Sequence, residues 1–188
     1  MSPRLLEVEE HAAVLEYEQA FYEAFAPLAE NRLIRRLWEW DDAGRRLRTR
    51  VPYSEQLVYL ERAGGALTAA LAVNLELRLL QAAAYGFALP RPAPPCCEIL
   101  TFFAVRGRDA AARARFFWEE CGRDLLRRGL RVGYGTCARR PLAGYLRAGA
   151  ELLAQARIEG EERFFLKLDF EARLAERAGA GPAATPAG

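Results

Sequence analysis

Residues 97–111, CEILTFFAVRGRDAA, decide the fold. Positions 99–105 are apolar or aromatic, with only Thr101 interrupting them, which predicts a buried strand. Arg106-Gly107-Arg108-Asp109 breaks that run, and helical spacing takes over across 110–128. A strand that ends at a helix start leaves several backbone N–H groups unpaired and pointing one way. Those groups and the positive end of the helix dipole can hold phosphate. The same residues also read as an ordinary strand–loop–helix connection in which Asp109 is a plain N-cap.

Working outward, helical periodicity over 7–28 (Val14, Tyr17, Phe21, Phe25, Leu28) predicts a first helix. A shorter second helix, capped by Asn31, is predicted to run to Trp40. Residues 45–50 are basic and read as irregular or edge-like. Segments 55–62 and 66–77 read as two strands joined at Ala63-Gly64-Gly65, with a helical alternative for the alanine-rich second one. A proline-rich loop over 81–95 precedes the strand at 96–105. After the helix come a short strand at 130–137 containing Gly133 and Gly135, a short helix at 141–148, and a hairpin of 151–159 and 163–170 turned at Gly160. The Ala/Gly/Pro residues from 179 onward predict a disordered tail, which leaves one domain over 1–178.

With 188 residues, 52% of them hydrophobic, the chain suits a single domain with a real core. A net charge of +2 gives no sign of a dedicated nucleic-acid binder. No secretory signal opens the sequence, and Asn74, Glu76 and Arg78 cut the longest apolar stretch well short of a membrane span, so a soluble, cytoplasmic protein is expected. The four cysteines, Cys96, Cys97, Cys121 and Cys137, form no CxxC, and His11 is the single histidine. Neither a metal centre nor a histidine-dependent triad is expected from that set.

The element order and two local patterns resemble the GNAT acyltransferase superfamily over roughly residues 7–170. Arg106-Gly107-Arg108-Asp109-Ala110-Ala111 is similar to the family's pyrophosphate loop, [Q/R]-x-x-G-x-[G/A]; Arg106 and Ala111 match, and Asp109 replaces the central glycine. Tyr145, four residues before Gly149, is similar to the tyrosine of the family's Y-x-x-x-G-F segment, with Ala150 in place of the aromatic residue. Glu98-Ile99-Leu100-Thr101-Phe102-Phe103-Ala104-Val105 further resembles the E-[IV]-[ST]-R-[FL]-A-V strand of acyl-homoserine-lactone and N-acyl amino acid synthases, without its arginine.

The resemblance implies an α/β (α+β) fold with a mixed, mostly antiparallel sheet flanked by helices. It implies transfer of an acyl group to a small-molecule amine from acetyl-CoA, a longer acyl-CoA, or an acyl-phosphopantetheine on acyl carrier protein. The pantetheine arm would lie along the backbone of Phe103 to Val105, in a gap between two central strands. The phosphates would sit on Arg106, Arg108, Ala110 and Ala111. Tyr145 would protonate the departing thiolate, and the Val105 N–H would polarise the carbonyl. Glu98, the only central carboxylate of its strand, would accept the proton of the amine, with Glu76 in reserve. The arginines at 32–50 read either as a carrier-protein docking face or as a solvated mixed-charge surface. Trp38, Trp40, Tyr85 and Phe87 read either as pocket walls or as boundary packing. A homodimer is left open. A GNAT-like binding or regulatory protein without turnover is the alternative that Asp109 favours.

Overall fold

The computed structural model describes residues 3–28, 32–91, 94–105 and 110–179. Seven strands form one mixed, mostly antiparallel sheet in the order β1-β4-β5-β6-β7-β9-β8. These are β1 (Arg4–Leu5), β4 (Gln56–Ala63), β5 (Ala66–Asn74), β6 (Cys96–Ala104), β7 (Val132–Cys137), β8 (Glu151–Ile158) and β9 (Glu161–Asp169). β2 (Glu39–Asp41) and β3 (Arg46–Arg48) make a separate hairpin. The helices are α1 (His11–Phe25), α2 (Arg32–Leu37), α3 (Ala110–Arg127), α4 (Arg139–Arg147) and α5 (Phe170–Gly179).

Alternation along the strands sorts the core into two layers. Val58, Leu60, Ala70, Ala72, Leu100 and Phe103 face α1, where Tyr17 and Phe21 cover them. The Phe21 and Phe103 rings stack with centroids 6.1 Å apart. Tyr59, Leu71, Val73 and Cys97 face the other way, toward Phe117, Cys121 and Leu125, which recur every fourth residue along α3.

The structure departs from the sequence-based elements in four places. α2 stops at Leu37 rather than Trp40, because Trp40 pairs with Leu47 in the hairpin and its indole N–H donates to the Ile34 carbonyl at 3.1 Å. Asp41 shapes the hairpin turn by accepting the Gly44 N–H at 2.8 Å, so residues 45–50, expected to be irregular or edge-like, supply a paired strand. Arg4 and Leu5 add an outer strand against Leu60 and Tyr59. Beyond the last strand the chain turns into α5, whose first turn is capped by Asp169 accepting the Ala172 N–H at 2.9 Å. Asn31 and the tail from 180 onward lie outside the described residues.

Candidate functional site

β6 and β7 run parallel and pair from Cys96 with Val132 to Ile99 with Gly135, and there the pairing ends. Beyond that point β6 stays with β5 as far as Ala104, while β7 stays with β9 as far as Cys137. The cause is local. Ala72 faces Thr101 and Val73 faces Ile99, so Leu100 is an extra residue that bends β6 away from its neighbour. The sheet therefore splits into two arms.

The split exposes different backbone groups from those expected. Val105 donates its N–H to the Thr68 carbonyl at 2.8 Å, so it is turned toward β5 and away from the opening. Antiparallel alternation then directs Phe103 to β5 as well, and leaves Phe102 and Ala104 facing the gap. Of the stretch from Phe103 to Val105, expected to lie along the pantetheine arm, only Ala104 therefore faces the opening, and the expectation for Phe103 and for the Val105 N–H is corrected.

On the α3 face, below the split, lies a cavity of about 270 Å³. Trp118, Leu166, Leu168, Phe170 and Leu174 make its walls mostly apolar, and Tyr145 stands in its lining. Arg115 and Arg147 also line it. Gly133, Gly135 and Thr136 are the β7 residues that line it.

The spacing of Tyr145 and Gly149 has a structural cause. Gly149 adopts φ +87°, the Ala150 N–H donates to the Tyr145 carbonyl at 3.0 Å, and the Gly149 N–H donates to the Leu146 carbonyl at 3.0 Å. This is a Schellman terminus, and Tyr145 and Ala150 on either side of it both pack against the cluster of Cys137, Leu142, Phe164 and Leu166. It ends α4 and fixes the tyrosine toward the cavity. The Tyr145 phenol is held above its ordinary pKa by burial and by the neighbouring Cys137.

Glu98 lies on the opposite face of the sheet and is 1% exposed. Its Oε1 accepts the Ala82 N–H at 2.6 Å, and its Oε2 accepts the Gln81 N–H at 3.0 Å and the Asn74 side-chain amide at 3.2 Å. Burial raises its pKa, and these hydrogen bonds oppose the rise in part. The carboxylate fastens the 3-10 turn Ala82–Tyr85 to the sheet. Of its roughly four acceptor positions, one on Oε1 is left over.

The remaining expected site residues fall as follows. Arg106, Arg108 and Asp109 lie outside the described residues, and Ala110 and Ala111 open α3. Glu76 is exposed beyond the end of β5 and pairs with Arg78 at 3.1 Å, away from the opening. Trp38, Tyr85 and Phe87 pack in the core on the α2 face, and Trp40 packs against it, so none of them lines the cavity. The arginines of the 32–50 region are largely paired, Arg35 with Asp42 at 3.0 Å, Arg46 with Asp41 at 2.8 Å, and Arg36 with Glu159. By contrast, Arg113 and Arg115 on α3 and Arg140 and Arg147 on α4 have no carboxylate partner among the described residues. Trp118, Ile99 and Phe170 were not singled out from the sequence as site residues. The signal for Ile99 and Phe170 was the Gly-x-Gly pattern of the strand they pack against, whereas Trp118 packs on Phe102 with ring centroids 5.1 Å apart.

Four free cysteines are buried, and burial pushes the thiols of Cys97 and Cys137 up to about 12. Among the described residues no group of three His, Cys, Asp or Glu could hold a metal, and no helix is long and apolar enough to cross a membrane.

The chain has a GNAT-like fold, a mixed and mostly antiparallel sheet flanked by helices. Within that fold class it is similar to acyl-homoserine lactone synthases. BjaI, described as CoA-dependent and solved with SAM and isopentyl-CoA, aligns at TM-score 0.66 and 17% identity over 97% of this chain and 90% of its own. TofI, solved with an inhibitor and MTA, aligns at TM-score 0.70 and 17% identity over 97% and 98%. An aminoglycoside 6'-acetyltransferase aligns at TM-score 0.60 and 7% identity over 90% and 97%. The sequence itself matches no protein-family profile and no curated protein.

Proposed function

We propose that the protein is an N-acyltransferase that moves an acyl group from a CoA thioester to a small amine. The observation that carries this reading is the opening between β6 and β7 directly above an apolar cavity that holds Tyr145. The residues present fit a pantetheine arm. The walls are apolar, the Phe102 and Ala104 backbone groups face the gap, and Arg115 and Arg147, with no carboxylate partner among the described residues, offer cations to phosphate. BjaI, described as CoA-dependent and solved with isopentyl-CoA, favours CoA as donor over carrier protein.

In the reaction, the amine nitrogen forms a bond to the thioester carbonyl carbon and the carbon–sulfur bond breaks. Tyr145 gives its phenolic proton to the leaving sulfur; a phenol kept protonated by burial suits that role. Glu98 takes the proton of the amine from the α2 face, through the acceptor position left on Oε1. The two groups stand on opposite faces of the sheet, so donor and acceptor meet only through the split.

A second reading, binding without turnover, is favoured by the three donors already on Glu98 and by the Val105 N–H being spent on Thr68. Calorimetric titration with CoA, acetyl-CoA and a long-chain acyl-CoA separates these from an unrelated activity. Saturable binding supports the thioester site, and no binding to any of them removes it. Turnover separates the two readings from each other. Tyr145→Phe is expected to lower kcat by about a hundredfold or more with little change in KM, on the scale of general acid catalysis. Thioester binding with no turnover on any amine would leave the binding module.

A further inference from the structure

We infer that Phe170 and Ile99 form a floor that limits the acyl group of the donor to a short chain. This deepens the acyl-transfer reading and rests on it. The cavity runs along β7 from Thr136 and Tyr145, beside the split, down to Gly133 and Phe170. A Cβ placed on Gly133 would stand 2.7 Å from both the Ile99 Cδ1 and the Phe170 Cζ, so those two side chains close together over that glycine. On the far side, the Phe170 Cδ1 is 3.9 Å from where a Cβ of Gly122 would be, which wedges the ring between α3 and β7. The Phe170 N–H is held by the Arg131 carbonyl at 3.0 Å. Backbone on one side and a glycine on each face leave this ring little freedom to swing aside.

The cavity of about 270 Å³ must also take the sulfur and part of the arm that carries it, so only part of that space is left for the acyl chain. Longer chains meet the Phe170 ring end-on.

The test is calorimetric titration of the full chain with straight-chain acyl-CoAs of two to twelve carbons and with free CoA. Affinity is expected to rise by about fourfold for each added methylene, the value of 0.8 kcal/mol per buried CH₂, until the chain reaches the floor, and to fall beyond it. In Phe170→Leu and Ile99→Ala the best chain is expected to lengthen by two or more carbons, read as the ratio of long-chain to short-chain affinity within each protein. Ile99→Val removes a single methyl, keeps the core packed and is expected to shift the ratio in the same direction. Binding of free CoA with affinities independent of chain length, or an optimum unmoved in all three variants, would overturn the floor and leave acyl transfer standing. If neither CoA nor any thioester binds, the acyl-transfer reading falls and the floor falls with it.

Discussion

Two buried residues near the split carry opposite kinds of constraint. Gly133 is a glycine because the space a side chain would fill already belongs to Ile99 and Phe170. Gly133→Ala is therefore expected to destabilise the protein by about 1–3 kcal/mol through overpacking, measured as a lower urea midpoint with an unchanged slope. Glu98 is constrained by charge. Its pKa is raised above 4.5 in the fold by burial, so its contribution to stability is complete below the ordinary carboxylate range and is lost as pH rises through the raised value. Glu98→Gln removes that slope, and it sets an amide N–H against a backbone donor at a cost of about 1–3 kcal/mol. Urea unfolding at a series of pH values is expected to show a deficit in the variant that shrinks from pH 4.5 upward. A deficit constant with pH would mean that the carboxyl does not titrate differently in the fold.

Among the elements, α2 does more than its six residues suggest. Leu33 packs with Val132, Tyr134 and Phe165 on the β7–β9 arm, while Ile34 packs with the β4–β6 arm. Leu37 touches both clusters, so the helix spans the split on the face opposite the cavity. Leu33 is fully buried, and Leu33→Ala is expected to cost about 2–5 kcal/mol, whereas Arg36→Ala, which removes an exposed pair with Glu159, is expected to cost no more than about 1 kcal/mol. Thermal or denaturant unfolding of the two variants checks the contrast. This bridging role was not legible in the sequence. Periodicity identified a helix after Asn31, but nothing local says that adjacent residues serve two arms of a sheet that separates for a reason in β5 and β6. The long elements read well because their periodicity is strong, as with Phe117, Cys121 and Leu125 on α3. Tyr145 lines the cavity because the same Gly149 that gives the pattern its spacing terminates the helix there. The phase of β6 was lost because one bulged residue at Leu100 shifts every amide after it, and a bulge leaves no mark in hydrophobicity. α5 was not legible because Phe170 also fits the end of the strand before it, which hides its i, i+4 spacing to Leu174.

At the scale of the whole molecule, the split divides the sheet into arms joined by the short β6–β7 pairing, by α2 on one face and by the α3 layer on the other. A ligand seated in the cavity touches α3, α4, α5, β7, β9 and Ile99 of β6 at once, so it ties those elements together. Binding to the folded state alone raises stability by about 2.7 kcal/mol when the free ligand stands at 100 times its Kd. For a chain of this size that corresponds to a rise in Tm of roughly 5–10 °C. CoA thioesters are expected to give such a shift in differential scanning fluorimetry, and Tyr145→Phe is expected to keep it, because the phenol serves the chemical step. Arg115→Ala combined with Arg147→Ala removes two cations from the lining and is expected to reduce the shift, more at low than at high ionic strength. A shift that is equally large in the double variant at low salt would mean that the donor's phosphates are held elsewhere on the rim, and that these two arginines face solvent only.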